Sequence, residues 1–201
     1  MRIIIVAALA AGCALGALAS DTLSQHDREF ALSALHASRK QFLDATSGLS
    51  AAQWNFKPAP DRWSIAEIAE HLALAEARAG GYVKQMMAAP AKPDVAAGLA
   101  GKENNALAAL ADRSHKVTAP EAIQPKRTWS NPEDAVAAYR SSRDALIDWI
   151  DTTQENVRQH VGDHPFFGPL DAYQWALVIA GHSDRHVAQM KEVKASEGYP
   201  K

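Results

Sequence analysis

The sequence predicts an all-α domain, a four-helix bundle with a long crossover between its second and third helices. Three observations predict it. Four stretches carry apolar residues at steps of three and four, the period of a helix with one buried face. These stretches carry capping signals at their ends. No stretch alternates apolar and polar residues as a half-buried strand would.

The first helix is expected near 22–47, with Leu32, Leu35, Phe42 and Leu49 close to helical spacing and Gly48 to end it. Pro58 and Pro60 make the next connection non-helical. Trp54, Phe56 and Trp63 are expected to pack it on the bundle. The second helix is expected over 64–89. Ser64 with Glu67 three residues on is a capping box, and the seam is Ile65, Ile68, Leu72, Ala75, Ala79, Tyr82 and Met86. Residues 90–130 form a connection rich in Ala, Gly and Pro, with a short helix expected near 103–111. A loop of this length acts as a lid or joins helices on the same side of a bundle. Asn131 and Pro132 open the third helix, expected near 131–159. Its seam is Val136, Tyr139, Leu146, Ile150 and Val157, and Arg143 falls on the same seam as a buried ion-pair partner, an anion-binding group or a side chain reaching the bundle end. His164 to Leu170 reads as a turn before the fourth helix, near 170–197.

Residues 1–19 read as a secretory signal: Arg2 supplies the charge, Ile3 to Leu18 the apolar run, and Ala17-Leu18-Ala19 the cleavage pattern before Ser20. The run is short for a spanning helix and carries Gly12 and Gly16. Cys13, after Leu9-Ala10-Ala11-Gly12, gives the alternative of a lipid-anchored protein. Cleavage leaves residues 20–201 as one domain without cysteine, so disulfides and thiolate chemistry are excluded from it. Without Arg2, 20 basic residues face 23 acidic ones. No basic excess invites nucleic acid. A periplasmic or secreted location follows, with no membrane contact unless Cys13 is lipidated.

The feature with most chemistry is His182 and His186, one turn apart on a helix seam of Ala172, Trp175, Ile179, Met190 and Val193. Residues at i and i+4 share a helix face, and two imidazoles so placed can close on one divalent ion. Buried imidazoles need partners. His71, beside the second helix's seam, is the best third ligand, with Glu67 one turn earlier on the same side. A pair of core or surface histidines is the plainer reading of the spacing alone. His164 reads as a turn histidine, and His26, His36, His115 and His160 show no ligand spacing and read as solvated.

Leu49-Ser-x-x-Gln-Trp-x-x-x-Pro-x-Pro-x-x-Trp-Ser-Ile-x-Glu-Ile-x-x-His-Leu72, followed by His164-Pro-x-Phe-Gly-Pro-Leu and His182-x-x-x-His186-x-x-Gln189, resembles the DinB-like superfamily over roughly residues 25 to 197. The resemblance implies a four-helix bundle with a long crossover and a metal triad falling on His71, His182 and His186. It also implies relatives that are metal-dependent thiol transferases using bacillithiol or mycothiol, or a thiol-dependent maleylpyruvate isomerase; zinc or nickel is the ion expected on three imidazoles. An exported chain departs from this, because low-molecular-weight thiols belong to the cytoplasm. Water activated by an ion on three imidazoles would serve outside it, with Glu67 as base or as partner to a ligand, or only as the cap. The expected function is a metal-dependent hydrolase or transferase acting on a small molecule. The alternatives are a non-catalytic bundle with a structural metal clip and partner binding through the tryptophan-rich loop. The expected partners are a small-molecule substrate and, at most, a second copy in a homodimer.

Overall fold

The structure, a computed structural model, describes residues 22–114 and 117–201. The expected signal segment, Cys13 and His115 lie outside the described residues. Four long helices form the bundle: α1 (Gln25–Thr46), α3 (Ile65–Ala88), α6 (Pro132–Thr152) and α7 (Ala172–Lys194). Short helices α2 (Ala51–Asn55), α4 (Pro93–Ala96) and α5 (Glu103–Ala111) sit in the connections. No helix of the described residues is long and apolar enough to cross a membrane.

Local chemistry sets the ends. Ser24, Ser50, Ser64 and Asp171 each accept an N–H of the first turn, and the last three do so in capping boxes with Gln53, Glu67 and Gln174. Gly48 takes φ +67°, the left-handed conformation that turns the chain after α1. The third long helix stops at Thr152, seven residues before its expected end. Thr152 Oγ1 donates back to Asp148 O, and Thr153 Oγ1 accepts from the Glu155 N–H. Side chains that bond their own backbone offer an alternative to the helix. Val157 is still buried, from a 3₁₀ turn over Val157–Gln159.

The turn expected at 164–170 is more ordered than the sequence indicated. It is the tip of a hairpin in which β1 (Val161–His164) pairs antiparallel with β2 (Gly168–Asp171), Gly162 facing Leu170. Four-residue strands leave too few residues to display a period of two.

Contacts between named residues give the topology. Glu70 meets residues 126–128 and Glu76 meets Arg143, so α3 and α6 run parallel. Only a long crossover can join parallel neighbours, which explains residues 89–131. Arg158 joins Asp27 to Asp171, and Gln41 meets Asp184, so α1 and α7 are also parallel. Tyr82 meets Trp175, and His71 meets His186, so α3 and α7 are antiparallel.

The apolar core has two halves. One, at the hairpin end, includes Leu35, Val83, Ile150, Leu170, Tyr173 and Leu177. The other includes Phe42, Trp54, Ile65, Ile68, Leu72, Tyr139 and Met190. Trp54 is buried and Phe56 packs beside this half, as expected of the tryptophan-rich loop. The fully buried Arg143 is an ion-pair partner rather than a surface-reaching group. Its Nε donates to Glu76 Oε2 at 3.1 Å, and its Nη2 donates to Glu76 Oε1 and to Ser183 Oγ. Crossover helix α5 lies on α7 at Gly181, where a Cβ would stand 3.0 Å from Leu107.

Candidate metal centre

His71 is held on the second turn of α3, a helix that starts where its capping box places it. His182 and His186 stand on successive turns of α7. Because the two helices are antiparallel neighbours, the three rings converge. His71 Nε2 lies 3.2 Å from His182 Nε2 and 3.1 Å from His186 Nε2. The rings meet edge to face, with centroids 4.5–5.1 Å apart. Two nitrogens bound at about 2.0–2.1 Å to one tetrahedral ion would stand about 3.3 Å apart, so the spacing fits. Among the described residues these three are the group able to hold a metal ion.

The other ring nitrogens explain why the arrangement calls for a cation. His71 Nδ1 lies 2.7 Å from Ile123 O, which can only accept, so Nδ1 carries the proton and Nε2 offers a lone pair. His186 Nδ1 likewise faces Gln189 Oε1 at 2.9 Å. Two lone pairs therefore face each other at 3.1 Å, an arrangement in which both can ligate one metal ion. Burial depresses all three rings, so they are neutral near pH 7. His182 lies well below the ordinary range, lowered by burial and then by His186 and His71, while His186 is pushed down to about 3 by burial and then by His71. His71 is lowered by burial, which its bond to Ile123 opposes. Neutral imidazole is the ligand form. His71 is fully covered, whereas His182 and His186 keep part of their surface open.

Glu67 is not gathered into this group. Its Oε2 accepts the Ser64 N–H at 2.8 Å, and its Oε1 pairs with Lys57 Nζ at 3.0 Å. Those bonds are the capping role that Ser64-x-x-Glu67 foretells. His164 ends β1 in an aromatic setting, 4.7 Å from Phe167 and 4.8 Å from Trp175, and burial pushes it down to about 4. His26 and His36 are exposed as expected, but His160 is half-buried, its Nδ1 3.0 Å from Met86 O.

Several surrounding residues carried no sequence signal of their role. Trp63 covers the site, its ring 4.9 Å from that of His71 and 6.3 Å from that of His186. The crossover is fastened on both sides of the cluster. On the α7 side, Arg113 makes a two-pronged pair with Glu192, at 2.8 and 2.7 Å from Nη2, and donates to Arg185 O; Arg185 donates to Leu110 O. On the α3 side, buried Glu70 accepts the N–H groups of Lys126, Arg127 and Thr128 at 2.9, 3.1 and 2.8 Å. Burial opposes the charge on Glu70, yet these bonds outweigh it and hold its carboxyl below the usual range. Adjacency of Glu70 to His71 was the one available clue.

The chain is similar to known proteins over most of its length. The sequence profile of the DinB superfamily matches residues 34–190. An uncharacterized protein of Bacillus subtilis, YuaE, is 29% identical over 164 residues, 81% of this chain and 96% of its own length. Among solved structures, YfiT from Bacillus subtilis is similar with a TM-score of 0.56 at 11% identity, covering 89% of this chain and 92% of its own. YfiT is described as a probable metal-dependent hydrolase with an unusual four-helix bundle topology.

Proposed function

The chain belongs to the DinB superfamily, and on that premise we propose that it holds zinc or nickel through His71, His182 and His186 and acts as a metal-dependent hydrolase or transferase on a small molecule. The observation that carries the reading is the facing Nε2 atoms of His71 and His186, both freed as lone pairs by acceptors at Nδ1. A divalent ion on neutral imidazoles supplies Lewis-acid polarisation of a carbonyl or phosphoryl oxygen, or activation of water. The chain's own residues do the rest. Ile123 O and Gln189 Oε1 set the ring tautomers. Trp63 shelters the cluster on one side, and the partly open faces of His182 and His186 leave an approach for a small substrate. A structural clip closes with four protein ligands; the group here has three among the described residues, which favours the catalytic reading. A base role for Glu67 would require it to leave both Ser64 and Lys57.

Metal analysis of the purified protein, followed by zinc and nickel titration of wild type and His182→Ala, tests the reading. One ion per wild-type chain and none in the variant is the expected result. A wild-type protein that takes up neither metal ends it. The proposed site of action is outside the cytoplasm, with residues 1–19 as the secretory signal. Intact mass of protein from the periplasmic fraction distinguishes cleavage before Ser20 from lipidation at Cys13, and a full-length cytoplasmic protein overturns export.

A further inference from the structure

We infer that Glu70 is the positioning residue of the site: by gripping the returning end of the crossover it keeps the Ile123 carbonyl on His71 Nδ1, and so keeps His71 Nε2 free to ligate. The inference rests on the metal reading proposed above.

A neutral imidazole has one ring proton, and whichever nitrogen meets an acceptor keeps it. At His71 that choice is made by a backbone carbonyl on a different element, 52 residues away in sequence. A ligand orientation that depends on a crossover is only as secure as the fastening of that crossover. The fastening is local and specific. Ile123 ends a single 3₁₀ turn, Glu121–Ile123, too short to be rigid by itself. Three residues later the chain reaches Lys126, and the N–H groups of Lys126, Arg127 and Thr128 all point at one carboxylate. Arg127 sits at φ 59°, a left-handed conformation that residues with side chains seldom adopt. That conformation turns successive N–H groups inward as an anion-binding concavity. Glu70 fills it, and the next residue on α3 is His71. Side chains brace the same segment: Gln124 Nε2 donates to Ala119 O, and Lys126 Nζ pairs with Glu121. Carbonyls and carboxylates that orient ligating histidines typically change metal affinity by about 10- to 100-fold when lost. Here the orienting group is main chain, so its removable counterpart is the side chain that holds it.

The experiment uses the full chain and compares Glu70→Gln with Glu67→Gln, two neutralised carboxylates on the first turns of α3. Glutamine at position 70 keeps the shape but turns an NH₂ toward N–H groups that need an acceptor. Zinc affinity, read by competition with a chromophoric chelator, is expected to fall about 10- to 100-fold for Glu70→Gln and to stay unchanged for Glu67→Gln. The second readout needs no metal. Nitrogen NMR of the metal-free protein is expected to show His71 protonated at Nδ1 in wild type and in Glu67→Gln, and a mixture of tautomers in Glu70→Gln. Loss of stability alone would leave that ring signal as in wild type. Unaltered affinity together with an unaltered His71 tautomer in Glu70→Gln overturns the inference while the metal reading stands. If wild type takes up no metal, the metal reading fails, and the ring signal still decides the role of Glu70.

Discussion

Helices α3 and α7 carry two polar clusters side by side, and the two differ in whether they close on themselves. At the first, Arg143 reaches between Glu76 of α3 and Ser183 of α7. Every donor of its guanidinium finds an acceptor: both carboxylate oxygens of Glu76, Ser38 Oγ, Ser183 Oγ and the carbonyls of Leu35 and Ile179. Desolvation works against the charge on Arg143, and the facing Glu76 outweighs it, holding the guanidinium above its ordinary range. At the second, His71 stands five residues before Glu76, and His182 is the neighbour of Ser183. There the acceptors at the rim are satisfied and the centre is not, because lone pairs converge on one point. A buried polar group is tolerated where its partners are complete. The closed cluster therefore belongs to folding, and the open one to a ligand.

The largest expected effect comes from breaking the closed cluster. Glu76→Leu leaves a buried guanidinium unpaired and is expected to cost about 3–5 kcal/mol in urea denaturation. The double variant Glu76→Leu/Arg143→Met, apolar throughout, is expected to recover most of that. A Glu76→Leu protein as stable as wild type would show that the pair is not the constraint its geometry implies.

On the proposed metal reading, the open cluster is expected to respond to a ligand instead. Zinc at one hundred times its dissociation constant is expected to stabilise wild type by about 2.7 kcal/mol, read as a rise in melting temperature, and to leave His182→Ala unmoved. An equal rise in both would place the zinc elsewhere.

Acid sharpens the contrast further. His182 and His186 are depressed by burial first, then by neighbouring rings, with His186 reaching about 3. An unfolded histidine titrates near 6.5, so the unfolded chain binds these protons more readily. Stability from the neutral rings is fully present above about pH 6.5. It is lost as pH falls from there toward the folded value near 3. The urea midpoint of the metal-free protein is expected to drop across that window, less steeply in His182→Ala. A flat profile would contradict the depressed values.

The smallest expected effect is at Glu67. Its loss to Ala removes half of a capping box and is expected to cost about 0.5–1 kcal/mol, with zinc affinity intact. Weakened zinc binding in Glu67→Ala would return this carboxylate to the metal site.

Much of the bundle could be read from residue spacing. Ile65, Ile68 and Leu72 mark a buried face because helical geometry repeats every 3.6 residues, and Ser64-x-x-Glu67 marks its start because a helix leaves four N–H groups unpaired. The same spacing placed His182 and His186 where apolar residues belong. Short-range chemistry was less legible where side chains compete with the backbone, as at Thr152 and Thr153, or where strands are too brief to show a period, as in the hairpin around Phe166.

Sequence by itself determined the helices, their buried faces and the placing of His182 and His186 on one helix face, because those depend on contacts within a few residues, whereas His71 joined them through the family resemblance. Only the tertiary structure decided which nitrogen of His71 carries the proton, because that depends on a group far away in sequence. Ile123 O meets His71 because the crossover returns over α3, Glu70 meets residues 126–128 across the same gap, and Arg143 closes on Glu76 because α3 and α6 run parallel. Such contacts follow from the path of the chain, and periodicity along one helix carries no information about the carbonyl that a neighbouring segment will bring.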